Sequence, residues 1–128
     1  MKADNKGLRF DDGKISVDLL APVALEGTAM ILTIGAVKYA RHNWTRGMLW
    51  SKVIGPLLRH LLRFMAGEDY DKETGLPHVH HMGCNIMFLQ YYFENKVGVD
   101  DRLKTKHVSL AEKYAKQIST FKAKWSKK

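Results

Sequence analysis

Between Leu20 and Ala40 the chain reads LAPVALEGTAMILTIGAVKYA, a run with almost no polar face. Pro22 suits the first turn of a helix, where its missing N–H is not needed, and the pattern predicts a helix over about 20–41. A helix that is apolar nearly all round must be covered on most sides, by its own domain or by a second subunit. A homo-oligomer is therefore expected. Pro22, Glu26 and two threonines argue against a membrane span. Gly27 and Gly35 weaken the helix and are expected to permit close contact with a neighbour.

The remaining segments predict three more helices. Ser51 is a candidate cap for a helix over about 51–66, in which Pro56 either kinks the helix or marks its true start. Pro77 opens a third, over about 77–96, ending near Gly98. The fourth, over about 108–125, carries Ala111, Tyr114, Ile118, Phe121 and Trp125 at alternating steps of three and four, a packing seam. Arg41–Trp50 reads as a loop, and residues 1–18 as an extended arm with a turn at Asp11–Gly13. No period-two pattern is long enough for a strand. The expected class is all-α, a compact bundle of about four main helices with an extended N-terminal arm.

At 128 residues the chain is expected to form one helical domain over 1–103, with a basic amphipathic helix over 104–128 packed on or beside it. Residues 101–128 hold nine of the 21 Lys and Arg but only two of the 13 acids, so the net charge of +8 belongs to the tail. That tail is a candidate nucleic-acid contact, although a solvated lysine face is the simpler reading. Cys84 is the single cysteine, which excludes an intrachain disulfide and a thiolate zinc cage. The first residues are polar, with no apolar leader, so a cytoplasmic protein with no membrane partner is expected.

Chemistry concentrates in AGEDYDKETGLPHVHHMGCN, residues 66–85. On a helix from 77, His78, His81 and Asn85 share one face, while His80 and Cys84 fall on another stripe. His78 and His81 are the candidate acid–base pair, since an imidazole titrates near neutrality. Glu68, Asp71 and Glu73 are hard oxygen donors that suit Mg²⁺, or Mn²⁺ in its place. Arg59 and Arg63, with His60 between them, stand one turn apart and call for an anion such as phosphate. Lys38, Tyr39, Asn43 and Trp44 combine a cation, an amide and aromatic faces, the ingredients of a purine nucleotide site.

These segments together resemble the N-terminal domain family of phage dATP/dGTP diphosphohydrolases. The likeness is carried by RFDDGK (Arg9–Lys14), LLAPVAL (Leu19–Leu25), GAVKYARHNW (Gly35–Trp44), RHLL (Arg59–Leu62), GEDYDKETGLPH (Gly67–His78) and HMGCNIMFL (His81–Leu89). It covers about residues 6–95 and leaves the basic tail outside. It implies a phage-type purine deoxynucleotide ligand and Mg²⁺-dependent release of pyrophosphate, with Lys14 among the nucleotide-binding residues. A weaker similarity links the chain to the all-α MazG-like pyrophosphohydrolases. Their helical carboxylates are replaced here by RHLLR (Arg59–Arg63) and HMGCN (His81–Asn85). A non-catalytic binder that sequesters a nucleotide, such as a host defence signal, is the alternative. A nucleic-acid or protein interaction module working through the tail is the third.

Overall fold

In a computed structural model, which describes residues 7, 8, 10 and 12–126, the chain is all-α. Three helices form the body: α1 (Pro22–Tyr39), α2 (Ser51–Met65) and α3 (His78–Asn95). A single-turn α4 (Leu110–Lys113) and a longer α5 (Ala115–Ser126) follow. Four helices are thus of substantial length, as expected, and no strand longer than an isolated bridge occurs among the described residues. Residues 1–6, Arg9 and Asp11 of the expected arm, and with Asp11 the first residue of its expected turn, lie outside them. The rest of the arm holds a turn with Gly13 at φ +81° and one 3₁₀ turn, Val17–Leu19.

α3 is the central element, with α1 on one side and α2 on the other. The α1–α3 contact is close because glycines face it from both helices. A Cβ on Gly27 would lie 2.0 Å from Nδ1 of His80, and one on Gly83 would lie 3.2 Å from the Thr28 hydroxyl. Gly35 faces open space, so only one of the two α1 glycines serves the packing. Ile31, Val53, Cys84 and Tyr92 form the apolar core. Burial pushes the Cys84 thiol up to about 11, which keeps it protonated and unreactive.

The start of α2 stands where it was expected, and the fourth helix is broken. α2 begins at Ser51 and continues through Pro56, which lies inside the helix rather than at its start. Ser51 does not cap with its own oxygen. Its N–H and hydroxyl both donate to the carboxylate of Asp101, fifty residues later. The fourth predicted helix is divided at Tyr114, whose backbone (φ −111°, ψ 18°) leaves the helical range.

A glycine clasp supports that distant cap. Gly47 and Gly98, both at positive φ, meet backbone to backbone, and Gly98 leaves no room for a Cβ beside the Met48 carbonyl. Val99 N–H donates to Met48 O at 3.2 Å, and Trp50 N–H to Val99 O at 2.9 Å. The Trp50 indole donates to Val97 O at 3.0 Å.

α1 is covered on one side only. Gly27 and Ile31 are buried, while Val23, Leu25 and Val37 are more than half exposed. Every residue from Leu110 to Ser126 is exposed as well. The chain presents 11364 Å² to solvent, whereas a folded monomer of 14.7 kDa would present about 7,000 Å². No helix among the described residues is long and apolar enough to cross a membrane.

Candidate functional site

The loop between α2 and α3 folds back on itself and fixes the polar groups that sequence reasoning singled out. Tyr70 and Pro77 form an antiparallel bridge. Asp71 N–H donates to Leu76 O at 2.8 Å, and Gly75 N–H to Asp71 O at 2.7 Å. Gly75 takes φ +73°, which a side chain would strain. One carboxylate oxygen of Asp71, Oδ2, accepts from the N–H groups of Glu73 (3.1 Å) and Thr74 (3.0 Å) and from the Thr74 hydroxyl (3.3 Å). The first N–H of α3, on His78, donates to Asp69 O at 2.9 Å, so the loop caps the helix it precedes.

This geometry brings together the end of α2 and the start of α3. His78 is wholly buried, and its Nδ1 lies 2.8 Å from Nδ1 of His60. His60 stacks on His81, with ring centroids 4.5 Å apart and planes 5° from parallel. His60 Nδ1 is 3.9 Å from Asp71 Oδ1, the oxygen the loop leaves free. His81 Nε2 and the Thr74 hydroxyl are 2.7 Å apart, and His78 Nε2 and Glu68 Oε2 3.1 Å apart. A carboxylate only accepts, so the His78 proton sits on Nε2 and Nδ1 turns inward.

Charge states follow from the surroundings. Burial and the neighbouring His81 hold His60 below the ordinary histidine value, against the pull of Asp71. Burial likewise lowers His81, again opposed by Asp71. Partial desolvation pushes Asp71 up, but the Thr74 N–H, the two histidines and the Thr74 hydroxyl outweigh it, and the carboxyl stays below its usual range. At pH 7 the site therefore holds a carboxylate beside two neutral imidazoles.

The expected residues distribute unevenly around this centre. His60, Asp71, His78 and His81 meet. Glu68 joins from the side, held by His78 and flanked by Arg63 (3.7 Å) and Lys72 (4.0 Å). Glu73 points to Lys38 on α1 at 3.5 Å, and Lys38 lies over the Tyr39 ring. Asn85 donates its amide to His81 O, one turn back in its own helix. Arg59 is exposed beside His60, and Lys14 is exposed on the arm. Asn43 and Trp44 lie in a 3₁₀ turn, Asn43–Arg46, away from the acids. Trp44 stacks on Phe88 at 5.0 Å and meets Tyr91 edge-on at 4.8 Å, and its carbonyl accepts from the buried Tyr92 hydroxyl at 2.6 Å. Its ring neighbours, Phe88, Tyr91 and Tyr92, are all aromatic side chains of α3, which makes it a strut between the 3₁₀ turn and the core. Thr74 was not among the expected residues. The DKETG sequence (Asp71–Gly75), an aspartate with a hydroxyl three residues on and a glycine after it, is the turn signal that marks it.

Mg²⁺ fits this donor arrangement poorly. It prefers a near-octahedral shell of oxygens, yet Glu68, Asp71 and Glu73 are turned to separate partners. The one group of three possible ligand atoms within 4.8 Å of one another, among the described residues, is His60, Asp71 and His78.

The family described as dATP/dGTP diphosphohydrolase, N-terminal, matches residues 4–102. The chain belongs to this family. It is also 36% identical over 96 residues to a protein of Salmonella phage PMBT28 named dATP/dGTP diphosphohydrolase. That match takes in 75% of this chain and 33% of the phage protein, so the chain spans about a third of its relative's length. No solved structure matches. The matched span ends just past the glycine clasp and contains the whole histidine centre, whereas α4 and α5 lie beyond it.

Proposed function

We infer that this chain binds a purine deoxynucleoside triphosphate and acts in its conversion to monophosphate and pyrophosphate. The family match, with a phage relative named for dATP and dGTP, carries this reading. The site chemistry accords with it. Arg59 and Arg63 are exposed on α2, one turn apart with His60 between them, and supply cations for a triphosphate. Lys38 extends that rim from α1 through Glu73. His81, neutral at pH 7 and steadied by Thr74, takes the proton of the attacking water. The test is mass spectrometry of a dNTP panel before and after incubation with the purified protein and divalent ions, with and without EDTA. Release of dAMP or dGMP with pyrophosphate is expected, and full recovery of every triphosphate at high protein loading overturns the reading.

One observation favours a second reading, a binder that sequesters the nucleotide unchanged: two-thirds of the phage relative lies outside the match. Thermal stabilisation by a nucleotide that is then recovered intact after denaturation distinguishes it, because a ligand that binds only the native state must stabilise that state.

A further inference from the structure

We propose that His60, Asp71 and His78 form a binding site for one borderline divalent transition metal of the zinc or cobalt type, with Glu68 orienting His78. The site stands on geometry and does not depend on the nucleotide reading. The three ligand atoms lie within 4.8 Å of one another. Metal–nitrogen and metal–oxygen bonds of about 2.0–2.2 Å at tetrahedral angles place ligand atoms about 3.3 Å apart. The observed separations bracket that figure, with His60 Nδ1–His78 Nδ1 at 2.8 Å and His60 Nδ1–Asp71 Oδ1 at 3.9 Å. Half an ångström of opening between the rings and a similar closure of Asp71 bring the two His60 edges to that length, and the His78–Asp71 edge, within 4.8 Å, closes as Asp71 moves in.

Each ligand is also prepared. His78 is buried and shows Nδ1 to the site because Glu68 holds Nε2, the carboxylate–histidine arrangement that orients metal-bound imidazoles. Asp71 spends Oδ2 on the loop and leaves Oδ1 facing His60. His60 is fixed in plane by stacking on His81. Two imidazoles and one carboxylate favour a transition ion over Mg²⁺. Three protein ligands leave at least one position for water or a phosphate oxygen, the pattern of a reactive rather than a structural site. The spacing His60, Asp71, His78 across a helix, a loop and a second helix matches no linear metal motif, so the set is visible only in the fold.

The experiment uses the full chain, free of any affinity tag and stripped with EDTA. It is given Zn²⁺, Co²⁺ or Mg²⁺ in turn, desalted, and read by metal analysis and by the visible absorption of Co²⁺. One Zn²⁺ or Co²⁺ retained per chain is expected, with Mg²⁺ not retained. Asp71→Asn preserves the loop hydrogen bonds through its remaining oxygen, and His60→Asn removes a half-buried ring; each should lower affinity tenfold or more and abolish the cobalt spectrum. Glu68→Gln should lower it about 10- to 100-fold. His107→Ala, on the exposed tail, should bind as the parent does. Circular dichroism of each variant reports folding, so a loss of metal in a folded D71N protein counts as support. The proposal is overturned if the parent retains no transition metal, if D71N and H60N bind as tightly as the parent, or if Mg²⁺ alone is retained.

Discussion

Gly27 and Gly35 sit two turns apart on α1, and the same substitution should act on them in opposite directions. A methyl on Gly27 would fall 2.0 Å from His80 Nδ1, 2.3 Å from Cε1 and 2.6 Å from Cγ, where real Cβ contacts stop at 3.0 Å. The ring must retreat by an ångström or more, and it is anchored on α3 two residues from His78. Overpacking of this kind costs about 1–3 kcal/mol, and the near-total overlap places it toward the upper end. Alanine's better helix propensity returns about 1 kcal/mol, leaving a net loss of about 1–2 kcal/mol for Gly27→Ala. Gly35→Ala meets nothing within 4 Å, so only the propensity gain remains, about 0.5–1 kcal/mol. At about 4 °C per kcal/mol for a domain near this size, Tm should fall by about 4–8 °C in the first variant and rise by about 2–4 °C in the second. Urea unfolding followed by far-ultraviolet circular dichroism gives the free energies directly. His80→Ala in the Gly27→Ala background should recover part of the loss, because the two residues are in contact and their effects are not additive. Equal shifts at positions 27 and 35, or no coupling between 27 and 80, would refute the packing argument.

Acidification offers a second test. Burial depresses His60 and His81 from 6.5, so the unfolded chain binds more protons as pH drops below about 6.5, and stability should decline between pH 7 and pH 5. Asp71 is also held low, so its contribution is present above about pH 4 and is lost on further acidification. Tm measured against pH checks both steps, and a Tm that holds or rises from pH 7 to pH 5 contradicts them. The exposed apolar side chains of α1, Val23, Leu25 and Val37, predict self-association: sedimentation should show a dimer or larger species, and Val37→Asp or Leu25→Asp should weaken it, whereas a monomer at high concentration would rule this out. Removing residues 104–128 should leave metal uptake and nucleotide binding unchanged, since α5 is exposed throughout and lies beyond the matched span. The same deletion should remove any salt-sensitive nucleic-acid binding, and a shifted metal affinity in the truncated chain would show that the tail reaches the site.

The helices were legible because their signals are local. Pro22 and Pro77 mark two starts, and the apolar runs give the ends of α1, α2 and α3 within two residues. The shared face of His78 and His81 also follows from helical spacing alone. What sequence could not supply was anything that depends on how the helices meet. Ser51 looked like a cap because serine usually is one, but the accepting carboxylate comes from Asp101 across the clasp. Trp44 looked like a stacking platform because its partners, Phe88 and Tyr91, are more than forty residues away. His60 was grouped with the arginines beside it in sequence, yet its ring turns to the histidines of α3. Each case is a long-range pairing, and no periodicity encodes one.

The glycine clasp has a consequence for how such a unit can be joined to others. It ties residues 48–50 to residues 97–99, so the chain leaves the body beside the start of α2 and not from the free end of α3. Whatever sequence follows hangs from a hydrogen-bonded knot that already holds the entrance of the second helix. Lengthening, shortening or exchanging that sequence should act on the knot first, since the histidines sit at the opposite end of both helices. A fold wired in this way is a cassette: its histidine centre is at one end and its attachment point is at the other.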